Sequence, residues 1–256
     1  MHAGEPDGRE SSTGHSRHRL TSPPRPTSYS AWLDVEIWRR QIFRGNPPTP
    51  ETTFLEALER PATANSAQAR AWTLAAAADA IAAQGRFGEA FELARDPRAT
   101  SAENEQARLV ALFAAAGAGD PRWIAVVRDD MRAEGFDRVP AGRGYVAMAD
   151  SLIAALEGRW DDARAARHAA VPTLEAVGDG LVLARFGLAL GHLAGDHLPE
   201  AARGASEAER WFDERGAARH VEAYQAAAGR GRVTDDAPVA TSSAASAPAA
   251  AVRATD

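Results

Sequence analysis

A glycine–aromatic–alanine motif recurs along the chain and constrains its fold more than any other feature. Residues 85–90 read GRFGEA, residues 158–163 read GRWDDA, and residues 195–201 carry a looser copy, GDHLPEA. Each copy follows one alanine- and leucine-rich run and precedes another. A glycine supplies the left-handed turn residue, the aromatic side chain fills the space between two helices, and the small alanine lets their backbones approach. The motif therefore predicts the corner of a helical hairpin, and residues 119–121 predict a fainter corner.

The corners recur at an interval that is typical of stacked helix pairs. Gly85 and Gly119 lie 34 residues apart, Gly119 and Gly158 lie 39 apart, and Gly158 and Gly195 lie 37 apart. Periods in this range belong to two-helix repeats, in which each pair can bury its apolar face only against its neighbours. We therefore expect an all-α fold with about four hairpins.

The composition favours the same fold class and excludes several functions. Hydrophobic residues make up 45% of the 256 residues but aromatic residues only 7%, and the abundance of alanine suits closely packed helices better than sheets. The chain has no cysteine, which excludes disulfides and thiolate metal sites. Its net charge of −6 argues against direct nucleic-acid binding. No apolar run is long enough to span a membrane.

Changes in composition along the chain predict its domain organisation. Residues 1–29 are polar and rich in Ser, Pro, Arg and His, so we expect a disordered arm. Residues 30–65 carry apolar residues at helical spacing and predict a pair of capping helices, which precede a repeat domain at residues 66–229. Residues 230–256 are rich in Ala, Ser and Pro and predict a disordered tail. Because no apolar signal segment is found near the start, we expect a cytoplasmic protein.

The chain resembles the tetratricopeptide repeat family. The family's unit has a large residue and two small ones along its first helix, a glycine at the corner, an aromatic residue two positions later and an alanine three after that. The residues that follow this pattern most fully are Leu74, Ala77, Ala78, Ile81, Gly85, Phe87 and Ala90. A less complete match consists of Ala147, Ser151, Ala154, Gly158, Trp160 and Ala163, and a third, with a longer corner, of Leu183, Phe186, Gly187 and Leu190. The resemblance implies a right-handed α-solenoid of about four hairpins with flanking capping helices; a generic stack of α-hairpins is the alternative.

Degenerate, alanine-rich repeats are also similar to the C-terminal regions of large bacterial signalling ATPases, transcription regulators and nucleotide cyclases. The catalytic and DNA-reading parts of those proteins are not found in this sequence. The resemblance therefore implies a bacterial protein that binds a protein or peptide partner without catalysing a reaction. The alternative is a detached part of a signalling or transcription regulator that senses a small ligand or a separate effector.

The sequence lacks the motifs of several common enzyme classes. A P-loop requires a lysine, and the chain has none; a nucleophile elbow, an HExxH helix and a dinucleotide-binding glycine loop are also missing. The adjacent carboxylates at Asp161 and Asp162 point about 100° apart on a helix, which makes them a poor acid–base pair. We therefore predict no enzymatic activity and no cofactor, with a helical enzyme whose site lies inside the superhelix as a third alternative.

One group of residues has a spacing that could hold a metal. His192, Asp196 and His197 bracket the last corner within six residues, and a zinc site would need a third imidazole, such as His168 or His220, to converge on them. Histidines near a helix C-terminus are also stabilised by the helix dipole, which explains the same pattern without a metal. We predict no metal site.

The resemblance implies a binding surface on the concave face, which the first helix of each hairpin lines. The family's groove-facing positions fall on Trp72, Asp79, Gln106, Tyr145, Leu152 and His192 of this chain. The polar members would hydrogen-bond an extended or helical peptide, and Tyr145 would anchor one of its side chains. We therefore expect a protein or peptide partner at these residues, without direct contact to nucleic acid or membrane.

Overall fold

The computed structural model describes residue 37 and residues 56–64, 66–98 and 105–235, with the backbone alone at positions 61, 62 and 228–235. Within these ranges all regular structure is helical, which confirms the predicted all-α class. The predicted arm at residues 1–29, most of the predicted capping helices and the tail beyond residue 235 lie outside the described residues. None of the described helices combines the length and the apolar character needed to cross a membrane.

The described part contains ten α-helices of defined extent. They are α1 (Pro61–Ala64), α2 (Ala67–Ala82), α3 (Phe87–Ala94), α4 (Glu105–Ala118), α5 (Pro121–Ala133), α6 (Pro140–Leu156), α7 (Trp160–Val177), α8 (Gly180–Ala194), α9 (Pro199–Asp213) and α10 (Ala218–Asp235). A 3₁₀ helix, Phe136–Arg138, connects α5 to α6. The backbone of α10 continues past residue 230, where the sequence predicts the tail to begin, because no proline interrupts the chain before Pro238.

Three of the four predicted corners have the expected backbone conformation. Their glycines have φ angles of 75°, 71° and 71°: Gly85, Gly119 and Gly158. Gly195 differs, because its φ is −60° and it belongs to the right-handed region. This corner is longer, and a backbone hydrogen bond of 2.7 Å from the Leu198 N–H to the Ala194 carbonyl closes it before Pro199 begins α9. A left-handed glycine is therefore not needed at the last corner.

The aromatic and alanine residues of the motif pack as predicted. Phe87 is buried at the start of α3, and its ring lies so close to Gly117 of α4 that a Cβ there would be 2.4 Å from it. Trp160 is half-buried at the start of α7. The motif alanines, Ala90 and Ala163, have no exposed surface. A side chain larger than alanine at either position would require the facing helices to separate.

The helices pack in a regular alternation. We call α2, α4, α6, α8 and α10 the inner helices, because each contacts the next member of this set. The outer helices, α3, α5, α7 and α9, each pack against the two inner helices that flank them in the sequence. Some contacts depart from this nearest-neighbour pattern, since α4 also packs against α8 and against α10. The inner helices therefore approach one another across the fold as well as along it.

Candidate functional site

The six residues predicted to line a groove all lie on inner helices, but they differ in burial. Three of them have at most 3% of their surface exposed: Asp79, Tyr145 and Leu152. The other three are half-buried: Trp72, Gln106 and His192. The first three side chains do not reach an open surface, because inner helices from distant parts of the chain pack over this face. Their role in partner binding stays a prediction.

An ion pair inside the protein joins α2 to α8. The guanidinium of Arg185 lies 2.6 Å from both carboxylate oxygens of Asp79, and the two side chains are 7% and 4% exposed. The same guanidinium lies 5.9 Å from the centre of the Phe113 ring on α4. Two opposite charges that are hydrogen-bonded in this way can be buried together, whereas either one alone would be strongly destabilising. The contact couples the first and fourth predicted hairpins across 106 residues of sequence.

The last described helix also contributes to the inner face. Tyr224 of α10 is buried, and its hydroxyl donates a hydrogen bond of 2.9 Å to the backbone carbonyl of Phe113. Its ring lies 5.4 Å from that of Phe87, measured between ring centres. Burial raises the pKa of the Tyr224 phenol well above its usual value, so the group stays a hydrogen-bond donor at physiological pH. Together with the ion pair, this contact occupies space that a bound peptide would need.

Tyr145 uses its hydroxyl within the protein. The hydroxyl donates a hydrogen bond of 2.5 Å to Glu105 at the start of α4 and lies 3.4 Å from Asp179, which caps α8 by accepting from the Val182 N–H. Burial, and then the hydrogen bond to Glu105, raise the pKa of the phenol well above its usual value. The side chain predicted to anchor a partner therefore links three consecutive inner helices, and its role in partner binding stays a prediction.

The residues with a metal-like spacing are not brought together. The His197 ring stacks on Trp160 with 4.1 Å between ring centres, whereas His192 meets the edge of Tyr224 at 5.9 Å. Within the described ranges, no group of three or more His, Asp or Glu side chains is arranged to hold a metal ion. The two histidines therefore complete aromatic contacts at separate places around the corner.

An open cleft lies between the outer helices α7 and α9, with α8 as its floor. Its volume is about 220 Å³. The floor and walls are mainly apolar, and the largest apolar side chains that line them are Val171, Leu183, Phe186, Leu190 and Trp211. The sequence does not reveal this cleft, because its presence depends on the angle between the outer helices of two successive hairpins.

The cleft is closed at one end and open at the other. At the closed end α7 meets α9 through the Trp160–His197 stack and through an ion pair of 2.7 Å between Arg164 and Glu200. At the open end Glu175 of α7 lies on the rim. The two outer helices therefore diverge from the corner and expose α8 between them.

Glycines explain how α9 fits against α8 beside this cleft. A Cβ on Gly187 would lie 2.6 Å from the carbonyl oxygen of Gly204, and one on Gly191 would lie 2.3 Å from the Cβ of Ala205. The two backbones are therefore in direct contact, which only glycine permits at these positions. Gly204 itself is different, because its Cβ would meet nothing closer than 3.8 Å and would point towards the cleft.

The rim of the cleft carries charges of both signs. Glu175 and Glu207 are exposed, and neither forms an ion pair within the part of the chain that the structure describes. Arg167 lies on the same α7 wall as Glu175 and faces α9, where its guanidinium would be 3.9 Å from a Cβ on Gly204. The pKa of Glu200 at the closed end is lowered mainly by a backbone hydrogen bond and by Arg164, and Arg167 adds a smaller effect in the same direction. The two rim carboxylates therefore lie towards the open end, and Arg167 lies nearer to the closed end.

Comparison with known proteins does not assign this arrangement to a family. The chain matches no family model, no curated protein and no solved structure.

Proposed function

We propose that the chain is a non-enzymatic interaction module, a right-handed α-solenoid of about four tetratricopeptide-like hairpins that binds a protein or peptide partner. The regular alternation of inner and outer helices supports this architecture, as do the left-handed glycines at three corners. Stacked hairpins of this kind present extended surfaces and serve mainly in recognition. A regulatory role in a bacterial cytoplasm belongs to the same proposal.

The size of the α7–α9 cleft is the observation that carries the proposal. Pockets for drug-sized ligands and cofactors usually measure about 300–1,000 Å³, whereas an engineered cavity of about 150 Å³ in another protein takes up benzene. At about 220 Å³ the cleft has room for one aromatic or branched aliphatic side chain. A single apolar side chain that inserts into a pocket is the usual anchor of a protein–protein contact.

A partner would reach the predicted groove on the inner face less easily than the α7–α9 cleft. A peptide at Asp79 would have to displace Arg185, and one at Tyr145 would have to displace Glu105 and Asp179. Leu152 has no exposed surface. Separating a buried, hydrogen-bonded ion pair costs about 3–5 kcal/mol. We therefore place the first contact with a partner at the open cleft and keep the inner face as a second, less accessible candidate.

The same cleft supports the alternative of a detached sensor that binds a small ligand for a signalling regulator. Its apolar floor and its rim of mixed charge would suit a compact amphipathic molecule. The volume favours one side chain over a cofactor-sized ligand, so we place this function second.

Blocking the cleft from α9 tests the proposal. Gly204→Leu fills it from a position where a Cβ is accommodated, and Ser206→Leu adds the same side chain at an exposed position of the same helix. The full chain is used to select from a displayed library of short random peptides. We expect enriched peptides with one bulky apolar residue, which bind the Ser206→Leu variant like wild type and lose binding to Gly204→Leu. Equal binding to both variants, with equal helicity by circular dichroism, would refute the cleft as the site.

A further inference from the structure

We infer that the cleft selects a partner segment in which the apolar anchor has a lysine or arginine beside it, directed to the open end. This inference rests on the proposed function, because it concerns the chemistry of the same cleft. It rests on the charges of the rim, on the position of Trp211 and on the closure of the other end.

The two rim carboxylates are available to a partner. Glu175 and Glu207 project from opposite walls near the open end and have no ion-pair partner in the described part of the chain. This differs from the closed end, where Glu200 is paired with Arg164. Two unpaired carboxylates over an apolar floor create a negative potential at the mouth, which attracts a cation and repels an acidic segment.

The neighbouring indole already holds a guanidinium. Arg215 lies over the Trp211 ring, with its central carbon 4.0 Å from the ring centre. The contact is stabilising because the face of an indole ring is electron-rich. Because Arg215 already covers the indole, a second cation that approaches the mouth would be held by Glu175 and Glu207 and not by the ring. The two carboxylates therefore supply the site for the partner's positive charge.

Arg167 gives the bound segment a direction. It lies on the α7 wall opposite Gly204, and the closed end beyond it is occupied by contacts within the protein. A basic residue of the partner at the closed end would face the Arg167 guanidinium, whereas a basic residue at the open end would face the carboxylates of Glu175 and Glu207. Electrostatic complementarity therefore fixes both the charge that flanks the anchor and the side on which it lies.

Charge reversal at the mouth tests this inference. The double variant Glu175→Arg/Glu207→Arg is compared with Glu209→Arg, which reverses an exposed charge of α9 outside the cleft lining. The probe is the tightest peptide selected on the wild-type chain. We expect its Kd to rise on the order of tenfold at low salt in the double variant, to change little in Glu209→Arg, and to lose most of this difference near about 1 M salt. A new selection on the double variant is expected to enrich Asp or Glu beside the anchor.

Two outcomes would overturn the inference. If Gly204→Leu abolishes binding but the double charge reversal leaves both the Kd and the selected sequences unchanged, the charge preference is refuted and the interaction function stands. If the selected peptides bind Gly204→Leu as well as wild type, the cleft is not their site, and the proposed function is refuted together with the inference. Selected peptides without any apolar anchor would likewise refute both the proposed function and the inference.

Discussion

Replacing Asp79 with alanine should destabilise the protein far more than the loss of one exposed charge. The substitution leaves the Arg185 guanidinium without its carboxylate in a place where only 7% of that side chain is exposed. A buried charge that has lost its partner destabilises a protein by about 3–5 kcal/mol. Folded domains are stable by only about 5–15 kcal/mol. Asp79→Ala therefore removes a fifth or more of the stability of a typical domain.

Urea denaturation followed by circular dichroism measures this effect. With a slope of about 2 kcal/mol per molar urea, a loss of about 4 kcal/mol shifts the midpoint down by about 2 M. Glu222→Ala is the matched control, because its ion pair with Arg219 is exposed and such pairs contribute at most about 1 kcal/mol. The double variant Asp79→Leu/Arg185→Met replaces both charges with apolar groups and should recover most of the loss.

The result that would refute this reasoning is equally specific. If Asp79→Ala shifts the midpoint no more than Glu222→Ala, the two charges are not buried together in solution. If the double variant is as unstable as the single one, the loss comes from packing and not from an uncompensated charge.

Three further predictions concern other contacts. Gly204→Ala should raise the free energy of unfolding by about 0.5–1 kcal/mol, because its Cβ finds space in a helix. Gly191→Ala should lower the free energy of unfolding by about 1–3 kcal/mol, because its Cβ would clash at 2.3 Å. Urea denaturation that gives the opposite order of stability would contradict the α8–α9 packing. Tyr145→Phe should lower the free energy of unfolding by about 1–2 kcal/mol, since it leaves the Glu105 carboxylate without its donor, and an unchanged midpoint would count against that hydrogen bond. The pKa of Glu200 lies below its usual value of 4.5 because of its backbone hydrogen bond and its ion pair, so the stability that it contributes is present above pH 4.5 and is lost as the pH falls through the lowered pKa. A carboxyl titration by NMR with a midpoint at or above 4.5 would disprove this.

Local chemistry made much of the fold predictable. The conformation of Gly85 or Gly158 depends on a few neighbouring residues, so the pattern of glycine, aromatic and alanine identifies a corner without knowledge of the rest of the chain. The last corner was less predictable, because an additional residue pair before Pro199 allows Gly195 to stay right-handed. The helical periodicity of apolar residues predicts that one face of a helix is buried, but it does not predict which distant helix covers that face.

The contacts across the fold could not be predicted in the same way. Each hairpin is rotated by a small angle relative to the one before it, and these angles add up along the chain. Their sum decides whether α2 approaches α8, and the angle between the last two hairpins decides whether α7 diverges from α9. A signal for the ion pair is nevertheless present in the sequence. Asp79 interrupts the apolar run LAAAADAIAA, and Arg185 interrupts LVLARFGLAL. Two isolated and opposite charges within these two apolar runs indicate that each needs the other.

The Asp79–Arg185 contact also affects how the protein melts. An array in which each repeat touches only its neighbours can fray from its ends, one unit at a time. Here an early helix and a late helix hold each other, so α2 cannot detach from α8 without separating two buried charges. Loss of order is therefore coupled from α2 to α8, and a shortened chain that ends before α8 would remove the Arg185 partner of Asp79.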